Sequence, residues 1–489
     1  MLPLFCLLFF ASCQNTELSV VLADHENGSF EAERLWLEEV LSQAQELALR
    51  IGPPENAEGD IFIDFFSAWE YEDEHDGITL SRTWFVPSEN ALAGRRNVSL
   101  QSCLDGEERL VPLDELKPPF VALRVDGYTV GDEGYPLVRR SGIRLRVGKE
   151  TKGRAKRVAA LEEWLLGLPK PLAERPVLTW VSAGGDVLLG RTAEDVLLDE
   201  GPRALLGGAL DVFMEADLAM VNLEGSLSSR GEPAAKTYTF RFEPPLELAA
   251  ALKNIGITAV LLANNHTFDY GEEAFLDTLD FLEQAGVGAI GAGRNEEAVL
   301  NPWNFEKDRF AARLWGLASF PREWTGWDGL QFVAGTDKAG YLHARAGGGD
   351  ALMAQLQQQS GDGTLNIVLF HGGEEFSPQP SRATRELYTS LAREGADLLI
   401  GTHPHVVHGF EWAGESLIFW SLGDLIFADM EDTPRGDDSL LIRLGYRGRQ
   451  PIYIEPVAIV LSGPRVELAP EEKLEDFYQK SRQLAESLP

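Results

Sequence analysis

The chain has 489 residues, too many for one ordinary hydrophobic core, so two or three domains are expected. Hydrophobic residues make up 44% and charged residues 25%, which excludes a disordered or fibrous chain. A formal charge of −34 argues against a nucleic-acid partner; if the substrate is anionic, a local cation centre must reverse that field.

The first thirteen residues, MLPLFCLLFFASC, are almost wholly apolar. Such a run is too short to span a bilayer and has the length of a signal-peptide core. Phe10-Ala11-Ser12-Cys13 resembles a bacterial lipobox, in which the cysteine becomes the lipidated first residue of the mature chain. Residues 1–16 are therefore read as a signal segment, and the protein as exported and anchored by lipid to the membrane at the cell envelope. No Lys or Arg precedes Arg34, so the usual basic stretch is missing. With Cys6 and Cys13 in that segment, Cys103 alone remains in the folded body, and no intrachain disulfide is expected.

Residues 17–148 read as an N-terminal α/β domain. IFIDFF at 61–66 and VALRV at 121–125 have strand character, and Leu35, Leu37, Val40, Leu41, Ala44, Leu47 and Ala48 recur at helical spacing over 31–50. YEDEHDG at 71–77 is an acidic turn with His75 solvated. VDGYTVGDEGYPLVRR is similar to segments in the lobes of bacterial solute-binding proteins. Residues 149–176 form a linker: a basic patch (Lys149, Lys152, Arg154, Lys156, Arg157) on a solvated helix face, then LPKPLAERP, whose prolines favour extended chain.

From 177 to 465 short apolar runs alternate with polar loops and with helices such as 246–255 and 272–285, the pattern of an α/β domain. Residues 321–365, rich in Trp, Gly and Gln, are an irregular excursion, and 466–489 is a C-terminal helix.

The chemistry collects at strand ends. VLTWVSA leads into Gly-Gly-Asp with Asp186, LAMVNL into Glu224, and ITAVLLA into Asn264-Asn265-His266. NIVLF leads into His371 with Glu374 and Glu375 nearby, DLLI into His403-Pro404-His405, and LIFW into Asp424. Open α/β sheets bind ligands outside the carboxyl ends of their strands. Each of these ends alone is an ordinary turn, but six in one domain all carry metal-capable donors, and four of the eight histidines lie there. His403 and His405, alternate residues of an extended loop, would aim two imidazoles at one region. His408 is read as structural and His343 as a surface residue. Asp, Glu, Asn and His without thiolates suit divalent Mn, Fe, Zn or Mg, and two such ions can clamp a phosphoryl or acyl oxygen.

In their order, GD, NLEG, NNHTFDYG, HGGEE, GTHPHVVHGFE and SLGDLIF resemble the CapA family of capsule and poly-γ-glutamate synthesis proteins, over about 180–430. The resemblance implies a four-layered metallophosphoesterase-like β-sandwich flanked by helices, here preceded by the smaller α/β domain. It implies two divalent metal ions with Asp186, Glu224, Asn265, His371, His403 and His405 as ligands. It also implies that His266 is the catalytic histidine touching a substrate oxygen. Asn222, Glu374 and Asp424 are supporting residues, and Asn264, Asp269 and Gly271 brace the turn. The chain departs from the family at Thr402, where a histidine is usual, at Gly372, where a tryptophan is usual and its loss would widen the pocket, and at Asp424, where asparagine is usual.

The expected function is metal-dependent hydrolysis of an anionic polymer or phosphoester, in contact with an envelope polymer-synthesis complex. The alternative is a non-catalytic polymer assembly or export factor that keeps the fold as a platform. A third reading, a solute-binding sensor, rests on residues 17–148 alone.

Overall fold

A computed structural model describes residues 18–22, 37, 39, 49–52, 61–69, 78–147, 154–167, 175–428 and 438–486. The lipobox segment with Cys6 and Cys13, the His75 turn, Lys149, Lys152 and most of the 31–50 helix lie outside these residues. Of that helix Leu37 and Glu39 are described and helical, whereas Leu49 and Arg50 open a strand, so the expected helix does not extend to 50. Two compact units result: residues 1–88, 97–116 and 123–176 in one, and 89–96, 117–122 and 177–489 in the other.

In the first unit, strands Leu49–Gly52, Leu18–Leu22 and Ile61–Trp69 pair in parallel. Val138–Val147, Ile78–Asn90 and Leu110–Pro112 continue the sheet antiparallel. The helix Arg154–Gly167 packs on Val138–Val147 and buries Leu161 and Leu165, one turn apart on one face. Cys103 is buried, free and raised by that burial to about 11, far from thiolate reactivity.

The second unit carries the donors, and its elements are numbered in chain order. They begin β1 (Thr179–Val187), β2 (Leu218–Leu223), α1 (Pro245–Ile255), β3 (Ala259–Leu261), α2 (Gly271–Ala285) and β4 (Gly288–Ile290). There follow β5 (Trp303–Lys307), β6 (Phe310–Ser319), α3 (Gly348–Gln359), β7 (Leu365–Gly372), α4 (Arg382–Arg393) and β8 (Leu398–Thr402). The remainder are β9 (Phe410–Ala413), β10 (Ser416–Phe419), β11 (Asp424–Ile426), β12 (Asp438–Arg447), β13 (Gln450–Ser462), β14 (Arg465–Leu468) and α5 (Lys473–Glu486). The expected C-terminal helix thus begins at Lys473, after a strand.

These strands form two mixed sheets. One runs β4-β3-β2-β1-β12-β13-β14, with β11 beside β1; the other runs β5-β6-β7-β8-β10-β9. In the second sheet alternate residues face opposite ways. Ile367, Leu369, Leu398, Ile400, Leu417 and Phe419 enter the core shared with the first sheet. Val368, Phe370, Leu399 and Ile418 meet Leu352 and Leu356 of α3 and Tyr388 and Leu391 of α4. A sheet covered on both faces needs continuous apolar runs, which is why NIVLF and DLLI carry no alternation. Burying each such side chain contributes roughly 1.5–3 kcal/mol. On the first sheet, Leu248 and Leu252 of α1 and Phe275 and Leu282 of α2 provide the outer cover. The order helix, sheet, sheet, helix is the four-layered α/β sandwich expected.

Gly-Gly-Asp is not a turn after β1 but lies within it, before Val187, and Asp186 is a strand residue paired with Asp424. The pairing demands glycine, because a Cβ at Gly185 would lie 1.8 Å from the Gly423 carbonyl oxygen. Gly185→Ala is therefore expected to destabilise the protein by about 3 kcal/mol in urea unfolding. Gly190→Ala is the control and should stay near wild type, since its Cβ would meet only the Phe242 ring, at 3.8 Å.

Candidate metal centre

The parallel strands of the two sheets deliver their carboxyl ends to one buried region. Two groups of donors form there: Glu224, His371 and His403, and Asp186, His405 and Asp424. Within each group the ligand atoms lie within 4.8 Å of one another. Each group draws carboxylates from the first sheet and imidazoles from the second.

His371 is the hub of the first group. Its Nε2 lies 2.8 Å from Asn265 Oδ1, 3.0 Å from His403 Nδ1 and 3.2 Å from Glu224 Oε1. Its Nδ1 lies 3.0 Å from both Asn222 Nδ2 and Thr402 Oγ1. Thr402, the departure from the family's histidine, thus braces a donor. Asn222 also donates to Asp186 Oδ1 at 2.7 Å, and Asn264 holds Asn222 through a 3.0 Å bond to its Oδ1. In the second group His405 Nδ1 lies 2.8 Å from Asp424 Oδ1 and 3.8 Å from Asp186 Oδ2. The His403 amide donates to Asp186 Oδ2 at 3.0 Å and ties the two groups together.

His403 and His405 aim their imidazoles at one region, but not as alternate residues of an extended loop. Both adopt left-handed backbone, with φ of 96° and 55°, and their rings lie 6.2 Å apart, one in each group. Such conformations cost roughly 1–3 kcal/mol each and persist where surrounding structure enforces them. No side chain fits at Gly372 in this backbone: a Cβ there would stand 2.3 Å from the Ser319 carbonyl oxygen. Glu374 is exposed and belongs to neither group. Asp424, expected only in support, stands among the donors.

The electrostatics fit a cation. Burial raises Glu224 well above the ordinary carboxylate range, and the neighbouring Asp186 carboxylate adds to the rise. Burial likewise raises Asp186 and Asp424 against the pull of His405. Burial holds His371 and His403 well below the usual imidazole range, leaving both as neutral donors. Burial alone would depress His405, but Asp424, with Glu224 and Asp186, holds it well above. Glu224 Oε2, His403 Nε2 and Asp424 Oδ2 are buried without a hydrogen-bond partner. Unpaired buried charge costs several kcal/mol per ion, and a divalent cation bound by these atoms would offset it. The residues present therefore fit divalent metal, with the oxygen and nitrogen donors such ions prefer.

Beside the donors, His266 Nδ1 lies 2.7 Å from Asp269 Oδ2, and the Phe240 ring centroid lies 4.4 Å from the imidazole. Burial lowers the His266 pKa, partly opposed by Asp269. Lys236 and Phe240 border this histidine and its partner, and Glu323 and Trp327 border Lys236 in turn; none of the four is singled out from the sequence. Aromatic-flanked TYTF was the one available signal, and it does not say which strand end it will meet.

His343, expected at the surface, is fully buried, and His408 is buried with Nε2 2.8 Å from the Ser377 carbonyl oxygen. Burial pushes both down to about 4. Their folded values lie below the unfolded value near 6.5, so the stability they contribute is present above that pH and lost as pH falls through about 4. In the chelated protein, the slope of unfolding free energy against pH across this window should fall by about one proton in His343→Gln.

Taken together, the two-sheet sandwich and its paired donor groups define an α/β protein with a candidate centre for divalent metal. Comparison with known sequences gives the particular family: residues 180–429 match the bacterial capsule synthesis protein PGA_cap family, and the chain belongs to it. A Bacillus subtilis PGA biosynthesis protein, CapA, is 24% identical over 53% of this chain and 65% of its own length. The Bacillus anthracis capsule biosynthesis protein CapA is 26% identical over 58% of this chain and 67% of its own length. The chain therefore spans about two thirds of these relatives. A phosphatase structure from Mycoplasma pneumoniae aligns with 59% of this chain and 96% of its own, at 15% identity and a TM-score of 0.37. Among the described residues, no helix is long and apolar enough to cross a membrane.

Proposed function

We propose that the chain is a divalent-metal-dependent hydrolase of capsule or poly-γ-glutamate-type polymer synthesis, acting on an anionic polymer or phosphoester. The observation that carries this reading is the convergence of three unpartnered buried atoms, Glu224 Oε2, His403 Nε2 and Asp424 Oδ2, beside the His266–Asp269 pair. Glu224, His371, His403 and Asn265 would hold one ion, and Asp186, His405 and Asp424 the other. Bound there, the ions supply Lewis-acid polarisation of a phosphoryl or acyl oxygen. Asn222 and Thr402 keep the donors oriented, as outer partners of metal ligands do. His266 directs Nδ1 to Asp269, which leaves Nε2 as the ring atom able to exchange a proton with substrate. The lipobox at Phe10–Cys13 supports an anchored position at the cell envelope, within reach of a polymer-synthesis complex.

The test is elemental analysis of the purified protein, coupled to turnover of phosphodiesters and γ-glutamyl polymers. About two divalent ions per chain with hydrolysis of either class supports the reading. No bound metal after reconstitution overturns it. Full metal content without turnover of either class transfers the protein to the assembly or export reading.

A further inference from the structure

Three segments far apart in sequence meet at one ammonium group. Lys236 Nζ donates to Asp269 Oδ1 at 2.7 Å and to the Asn265 carbonyl oxygen at 2.7 Å. Glu323 Oε1 lies 3.3 Å away, and the Trp327 ring centroid lies 4.3 Å from the same nitrogen. The Lys236 side chain is 1% exposed and Asp269 fully buried, so each charge depends on its partner for compensation.

This arrangement divides the Asp269 carboxylate. Oδ1 is taken by Lys236, while Oδ2 accepts from the Phe240 amide at 2.7 Å and faces His266 Nδ1 at 2.7 Å. A carboxylate only accepts, and it lies closer to Nδ1 than the Lys236 ammonium does at 3.4 Å, so Nδ1 carries the proton and in the neutral ring Nε2 is bare. The Phe240 ring also packs against the imidazole at a tilt, so its amide's hydrogen bond to Oδ2 fixes the packed ring and the acceptor together.

We propose that Lys236 is a positioning residue, which pins Asp269 and the Asn265 carbonyl so that His266 is held in one orientation and in the Nδ1–H tautomer alone. The inference builds on the reading of His266 as the proton-exchanging residue. It also gives the irregular excursion a part. Glu323 and Trp327 lie against the ammonium, so the excursion helps to hold Lys236 in place.

Long-range proton–nitrogen NMR of the chelated protein reads the tautomers of its eight histidines, with His266→Gln identifying the ring of interest. The wild type is expected to show His266 as a single Nδ1–H form. In Lys236→Met, which keeps the length and removes the charge, a mixture of tautomers is expected. In the metal-loaded protein, turnover of bis(p-nitrophenyl) phosphate by Lys236→Met should fall roughly tenfold or more in kcat, with KM and metal content within about twofold of wild type. If Lys236→Met does not fold, Lys236→Gln is read in the same way. A wild type in the Nε2–H form, or a folded Lys236 variant with the wild-type tautomer and kcat, overturns the assignment. A wild type with no turnover but a tautomer shift in the variant removes the hydrolase reading and leaves the assignment of Lys236 standing.

Discussion

Replacing His403 with alanine is expected to cost the protein about 100-fold or more in metal affinity, and with it the metal-dependent activity. The reason lies in how much this one residue joins. Its imidazole stands in the first donor group, 3.0 Å from His371 Nε2, and its own Nε2 is buried without a partner. Its amide meanwhile holds Asp186 of the second group. Alanine keeps that amide and removes only the ring, so the loss should fall on the first group and leave about one ion per chain. Metal content after dialysis, measured on protein whose circular dichroism matches wild type, checks this. Two retained ions in His403→Ala would remove His403 from the donor set.

Replacing His266 should give the opposite separation. The ring bonds to Asp269 and packs on Phe240, while the Lys236–Asp269 pair persists without it. His266→Ala is therefore expected to keep its full metal content and lose roughly 10²–10⁴ in kcat, the range over which positioned proton transfer acts. Single-turnover rates against metal content make the comparison. Equal losses of metal and rate would mean that His266 supports the donors rather than the chemistry.

Much of this centre was legible in the sequence because strand ends are marked twice, by the apolar run that precedes them and by the donor that follows. Asp186, Glu224, Asn265, His371, His403 and His405 were marked in this way, and the fold brings all six into one region, while their roles as ligands belong to the proposal. What escaped has a physical reason in each case. Asp424 seemed secondary because its pairing with Asp186 is a long-range strand register that local sequence does not carry. The left-handed backbone at His403 and His405 is enforced by tertiary contacts, whereas their local pattern suggested extended chain. Lys236 is one charge in a loop 33 residues before Asp269, and nothing local predicts its burial. His343 follows an apolar pair in an excursion without periodicity, so its burial was equally hidden.

Both donor groups straddle the two sheets, with carboxylates contributed from one side and imidazoles from the other. Ions held there would act as rivets through the sandwich, and the fold and its metal content would become a single linked equilibrium. Loss of metal would then register as a slackening between the sheets before any helix melts. The donors themselves would then set how long the fold survives wherever metal is scarce.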